Sequence, residues 1–144
     1  MKTDFGIEDY AAFCRTHRPE YQAHYYAMYS SWWDAITTEP NLMTIPVDDH
    51  MVHRGDGLFE TFKCVDGAVY NLDAHLARLE NGARAIALAL PWTRADLRRI
   101  VGAVVRAGGR RDALVRIFAS RGPGSHSANP YYCPQPLLLV LAIR

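Results

Sequence analysis

Residues Pro46 to Thr61 read PVDDHMVHRGDGLFET, and a short interval later Asp73 to Leu79 read DAHLARL. A polar loop turns through Gly55-Asp56-Gly57 into a strand, Leu58–Val65, which folds back through Asp66-Gly67 into Ala68–Leu72 and feeds a helix whose first run, Asp73–Leu79, carries one arginine. An Asp-Gly pair between two β-prone runs is the strongest short hairpin signal in the chain. The helix starts near Asp73, a natural N-cap, and Leu76, Leu79, Ala83, Ile86 and Leu90 form its apolar stripe up to Pro91.

The pattern continues outward in both directions. A second helix opens with the capping box Thr93-Arg-Ala-Asp96, buries Leu97, Ile100, Val101, Val104 and Val105, and ends at Gly108-Gly109. Two strands, Ala113–Ser120 and Leu137–Ile143, close the run, separated by a Gly/Pro/Ser/Asn-rich loop, Arg121–Pro136, whose composition suits ligand contact. Upstream, Ile7, Tyr10, Ala11 and Cys14 recur at helical spacing and predict a helix over Ile7–His17, ending before Pro19. The aromatic band Tyr25–Trp33 contains a strand, Ala27–Ser31, paired with Ala35–Thr38 across a turn at Trp33-Asp34, and a loop covers Glu39–Val52. Strands, two helices, then strands predict an α+β domain: a mainly antiparallel sheet with two helices packed on one side.

Composition narrows the function classes. Sixteen basic against 15 acidic residues leave a net charge of +1, which offers no long-range attraction for nucleic acid. Arg94, Arg98, Arg99, Arg106 and Arg110 cluster on the second helix and its exit, without interleaved aromatics, and read as a solvated face. The longest apolar run, Leu137–Ile143, is too short for a bilayer, and Met1–Gly6 lacks the apolar core of a signal peptide, so a cytoplasmic location is expected. Cys14, Cys64 and Cys133 have no metal-ligand spacing and read as reduced thiols.

Arg78 sits at the flank of the first helix's stripe, where its stem can pack while its planar fork reaches past the helix edge, a geometry that suits a phosphate. Its alternative is an exposed surface arginine. Arg116 lies mid-strand in Leu114-Val-Arg-Ile-Phe118, where a charge is expensive unless paired, so it must meet an acid or an anionic ligand. Arg54 precedes the flexible Gly55-Asp56-Gly57 and meets either a ligand carboxylate or Asp48, Asp49 or Asp56. His50 and His53 with Asp48 and Asp49 fall in a loop that no regular element orients, so no metal site is expected.

The segments HRGDGLFET and HLARL, in this order and spacing, resemble the N-terminal half of fold type IV pyridoxal-phosphate (PLP) enzymes, the class IV aminotransferases and aminodeoxychorismate lyases. With Tyr26-Ala-Met-Tyr-Ser-Ser31, they are most similar to the plant-type D-amino-acid aminotransferase branch, over about residues 26–143. The resemblance implies a cofactor, PLP, whose phosphate is held by Arg78; amino-acid and 2-oxo-acid substrates contacted by Arg54 and Arg116; and a homodimer that builds each site from two subunits. It also implies a family-specific extension over residues 1–25 and a small N-terminal domain over 26–144. The loop Ser120-Arg-Gly-Pro-Gly-Ser-His126 departs from the bacterial D-amino-acid enzymes, where the carboxylate-trapping position held here by His126 is an arginine. A larger departure is the lysine that condenses with the cofactor aldehyde: it belongs to a second half, and here only Lys2 and Lys63 occur, neither at its position. The expected function is amino-group transfer by the complete enzyme, with pyruvate-eliminating lyase chemistry as one alternative and a non-catalytic binding or assembly domain as another.

Overall fold

A computed structural model describes all 144 residues. The chain runs through α1 (Ile7–Thr16), β1 (Tyr25–Ser30), β2 (Ala35–Thr37), α2 (His50–Arg54), β3 (Gly57–Val65), β4 (Ala68–Val69), α3 (Leu72–Ala85), α4 (Arg94–Gly108), β5 (Ala113–Ser120) and β6 (Leu137–Ile143), with single 3-10 turns at Glu20–His24, Pro40–Leu42 and Pro130–Tyr132. All strand pairs are antiparallel, in the order β2-β1-β6-β5-β3-β4.

Strand alternation sorts the sheet into two unlike faces. On one, Ala27, Tyr29, Phe62, Cys64, Val115, Ile117, Ala119, Leu138, Val140 and Ala142 pack against Leu76, Leu79 and Ala83 of α3 and the apolar side of α4. Both helices therefore lie on one side of the sheet, as the sequence pattern predicts. The opposite face is covered only in part. Met28, Leu137 and Leu139 are sealed by Met43 and Ile45 from the segment before α2, whereas Phe59 on β3 stands 66% exposed. β4 pairs with Cys64 and Val65 alone, so the rest of β3 forms a free sheet edge.

Several expected boundaries move, each for a local reason. The returning arm of the hairpin is two residues long and does not reach Leu72, because Asn71 adopts a left-handed φ of 48° and starts α3 there. Asp73 is consequently inside the first turn, not the N-cap. α3 ends at Ala85 and not near Leu90; Ala87 turns left-handed (φ 51°), which lets Leu88 reach the core while Ile86 is left 36% exposed. The segment read as a loop contains α2, nucleated by the Asp49 carboxylate accepting from Met51 N–H at 2.8 Å and stopped by Gly55 at φ 67°, a backbone region that favours glycine. On α1, Cys14 is buried but Ile7 is 85% exposed, so the inward face is narrower than its spacing suggested. That helix is fastened by Asn41, whose side-chain amide donates to Cys14 O and His17 O, while the Tyr10 hydroxyl donates to Asn41 O.

The aromatic band divides. Tyr29 belongs to the core and donates its hydroxyl to Asp34 at 2.9 Å, while Trp32 and Trp33 face solvent. The arginines of α4 are mostly solvated ion pairs, Arg94 with Glu80, Arg98 with Asp73 and Arg99 with Asp96. One aromatic does join them: Arg110 lies over the Tyr26 ring, 5.5 Å from its centroid.

Candidate functional site

On the helix-facing side of β3 a single acid interrupts the apolar residues. Glu60 is 3% exposed and receives two bonds from Arg78, Nε to Oε1 at 2.7 Å and Nη2 to Oε2 at 2.8 Å. His75, one helical turn earlier, places Nδ1 2.8 Å from Oε2. A carboxylate only accepts, so that nitrogen carries the proton. The His75 ring also lies against Phe62, centroids 5.1 Å apart. Burial alone would push the Glu60 carboxyl up; the bonds from Arg78 and His75 override it and hold the carboxyl below the ordinary glutamate range. Arg78 is raised in turn by its bonds to Glu60. Its side chain stays 70% exposed, with Nη1 left free of partners in the fold. Between the free edge of β3 and the start of α3, close to this triad, a cavity of about 480 Å³ is lined by Thr61, Phe62, Lys63, Val65, Tyr70, Asn71 and His75.

A second group gathers at the far end of β3. The His53 ring packs against His50, centroids 5.0 Å apart, and against His126 from the β5–β6 loop at 5.3 Å. α2 is the element that orients the first two, contrary to the expectation that nothing does. Arg54, in the last turn of α2, is exposed and makes none of the ion pairs considered for it. Asp56 is taken by Arg121, whose Nε and Nη2 each reach one carboxylate oxygen at 3.0 Å, and Asp49 accepts from the Ser120 hydroxyl at 2.7 Å. Arg121 also donates to the carbonyls of Ile86 and Ala87 at 2.8 Å, tying the loop carrying His126 to the turn after Arg54 and to the end of α3. The loop's return is equally tight. At Gly122 (φ 97°) an added Cβ would sit 1.9 Å from Gln135 O.

Arg116 is neither buried nor paired with an acid, which corrects the premise that it must be neutralised. It stands on the partly open face of the sheet, opposite Thr61 in register and beside Leu141, where water solvates it. Phe59 and Phe118 form the next pair along that face, centroids 6.3 Å apart. The candidates are therefore not brought into one cluster. Arg78 lies on the helix side of β3, Arg116 on the other face of the sheet, and Arg54 with His126 beyond the Gly57 end of the strand. A ligand touching all three must wrap the free edge of β3. Glu60 was not singled out in the sequence; its signal was a lone acid inside Leu58-Phe-Glu-Thr-Phe62, the same pattern that singled out Arg116.

The sheet thus carries a partly open face, an arginine, Arg78, bonded to a buried acid on its helix side, and a loop after β5 tied down by Arg121. The model of the family described as amino-transferase class IV matches residues 57–144. The chain belongs to that family. It is 42% identical over 118 residues to the chloroplastic D-amino-acid transaminase of Arabidopsis thaliana, covering 82% of this chain and 32% of that protein. It is 33% identical over 121 residues to the bifunctional aminodeoxychorismate lyase / D-amino acid transaminase of Mycobacterium tuberculosis, covering 77% and 40%. The fold matches the T.th. branched-chain amino acid aminotransferase in complex with N-(5′-phosphopyridoxyl)-L-glutamate, with a TM-score of 0.74 at 22% identity over 83% of this chain and 41% of that one. The chain thus spans about a third of the length of the curated relatives it matches. No helix is long and apolar enough to cross a membrane.

Proposed function

We propose that these residues form the N-terminal, phosphate-holding domain of a PLP-dependent amino-acid aminotransferase, which moves an amino group between an amino acid and a 2-oxo acid. The observation that carries this reading is Arg78: Glu60 occupies the Nε/Nη2 edge of its guanidinium, and the Nη1/Nη2 edge remains free for a bidentate acceptor such as a phosphate. The residues present suit the phosphate end of the cofactor. They do not supply an amine for its aldehyde end, since Lys2 is paired with Asp9 at 2.7 Å and Lys63 projects from the face of β3 opposite to Glu60. That amine has to come from the remainder of a two-domain protein. Bound PLP supplies an electron sink that stabilises charge at the substrate Cα. Around it, Arg54, Arg116 and His126 are the groups available to hold substrate carboxylates, and Phe59 with Phe118 offers apolar cover.

Pyruvate elimination is the second reading, favoured by the bifunctional lyase and transaminase name of the mycobacterial relative. Assembly as a homodimer in the cytoplasm completes the proposal. Trp32, Trp33 and Ile36, exposed by 52%, 41% and 37% along one end of the sheet, give a dimer an apolar patch to cover. Sedimentation at high protein concentration is expected to show a dimer that weakens when Trp32 and Trp33 are both changed to Ser; a monodisperse monomer for the unmodified protein would remove that part of the proposal.

The phosphate role is tested with pyridoxamine 5′-phosphate and pyridoxamine, which lack the aldehyde and differ by the phosphate. Arg78→Ala is expected to lower the affinity for the phosphorylated compound about ten- to a hundredfold and to leave pyridoxamine unchanged. Arg78→Lys should recover part of the loss, having charge without the fork. Arg98→Ala, which removes an ion pair to the still more exposed Asp73, should change neither affinity. Equal phosphate preference in wild type and Arg78→Ala would return Arg78 to an ordinary surface ion pair.

A further inference from the structure

We propose that Glu60 is the positioning residue of the phosphate site: it does not touch the ligand, but sets the plane and the exposed edge of the Arg78 guanidinium. The inference rests on the reading of Arg78 as the phosphate-holding group. A carboxylate buried to 3% exposure on the helix-covered face of β3 costs stability that an apolar residue of similar size would not, so its presence asks for a use beyond packing. Its backbone is fixed, because β3 is paired with β5 on both sides of Glu60. Both carboxylate oxygens are engaged, Oε1 by Arg78 Nε and Oε2 by Arg78 Nη2 and His75 Nδ1, so the group cannot swing toward solvent.

An arginine that is 70% exposed ordinarily samples many rotamers. Here two of its five N–H donors are anchored to an immobile strand, and the plane of the guanidinium is anchored with them. The other three donors make no bond within the fold. An acid that merely competed with an incoming phosphate would be expected to occupy the outer Nη1/Nη2 edge; Glu60 takes the inner one. Much of the side-chain ordering that a flexible arginine would undergo on binding has thus occurred in the folded chain.

Positioning and competition predict opposite signs. The test uses this chain with pyridoxamine 5′-phosphate and pyridoxamine as probes, together with the NMR signal of the Arg78 Nε–H. Glu60→Gln, which keeps shape and removes charge, is expected to reduce the preference for the phosphorylated probe about tenfold, to leave pyridoxamine affinity unchanged, and to turn the slowly exchanging Nε–H of Arg78 into a fast one. Glu60→Asp, with charge but shorter reach, should fall between. An unchanged or stronger phosphate preference in Glu60→Gln, while Arg78→Ala loses it, would overturn the proposal for Glu60 and leave the role of Arg78 standing. An unchanged preference in Arg78→Ala would overturn both. Should the Glu60 variants fail to fold, the unmodified chain still decides: an Arg78 Nε–H that exchanges as fast as that of exposed Arg106 is incompatible with a positioned guanidinium.

Discussion

Arg121→Ala is expected to unfold roughly 10 °C below the unmodified domain, the largest stability loss of any single arginine in the chain. Arg121 is 16% exposed and bonds four acceptor atoms from two segments, the two Asp56 oxygens and the carbonyls of Ile86 and Ala87. Removing it leaves Asp56, itself 22% exposed, with only His50 Nδ1 at 3.7 Å, and strips the donors from the irregular end of α3. Breaking a fully buried pair costs about 3–5 kcal/mol; allowing for the residual exposure, about 2–4 kcal/mol is expected here. At about 3–5 °C per kcal/mol for a domain of this size, that gives the stated shift. Arg121→Lys should restore charge but not the fork, and recover less than half.

The pH dependence follows from the same pair. Bonds from Arg121 hold the Asp56 carboxyl below the ordinary aspartate range. A depressed carboxylate contributes stability that is present above its unfolded value and lost as pH falls through the folded one. The gap in thermal midpoint between the unmodified chain and Arg121→Ala should therefore be constant above about pH 5 and close below about pH 4. A gap that widens on acidification, or a midpoint unchanged at neutral pH, would show that the Asp56 pair is not what holds the β5–β6 loop.

How far the site was legible in the sequence differs from residue to residue. The two helices and the sheet followed from period alone: Leu76, Leu79 and Ala83, then Leu97 through Val105, are buried as their spacing requires. The Thr93 capping box is present as read. What escaped were features set by one side chain meeting another far along the chain. Glu60 and Arg78 are 18 residues apart, and Asp56 and Arg121 are 65 apart; a helix wheel places Arg78 on the flank of a stripe without naming its partner. α2 escaped because five residues with no apolar period are indistinguishable from loop, and only the Asp49 side chain folding onto Met51 N–H makes them a turn of helix. Arg116 was misjudged because a charge in mid-strand is costly only in a sheet covered on both faces, whereas its face stays partly bare.

The second large effect is an absence of turnover. Supplied with PLP, an amino acid and a 2-oxo acid, this 144-residue chain is expected to release keto acid no faster than free PLP does, well below the turnover of about 1–1000 per second usual for enzymes. On the proposed function, covalent use of PLP needs an amine held against the cofactor aldehyde while Arg78 holds the phosphate. Lys2 precedes α1 and is tied to Asp9. Lys63 lies nearer, lining the cavity beside His75, yet it leaves β3 on the face away from Glu60 and Arg78. An adduct forming there is a reaction of an exposed amine, so reduction with borohydride should trap it in proportion to PLP added, and Lys63→Met should abolish it without altering the rate of keto-acid release. A rate well above free PLP that disappears in Lys63→Met would instead make Lys63 a working catalytic amine and would remove the need for a second, lysine-bearing domain.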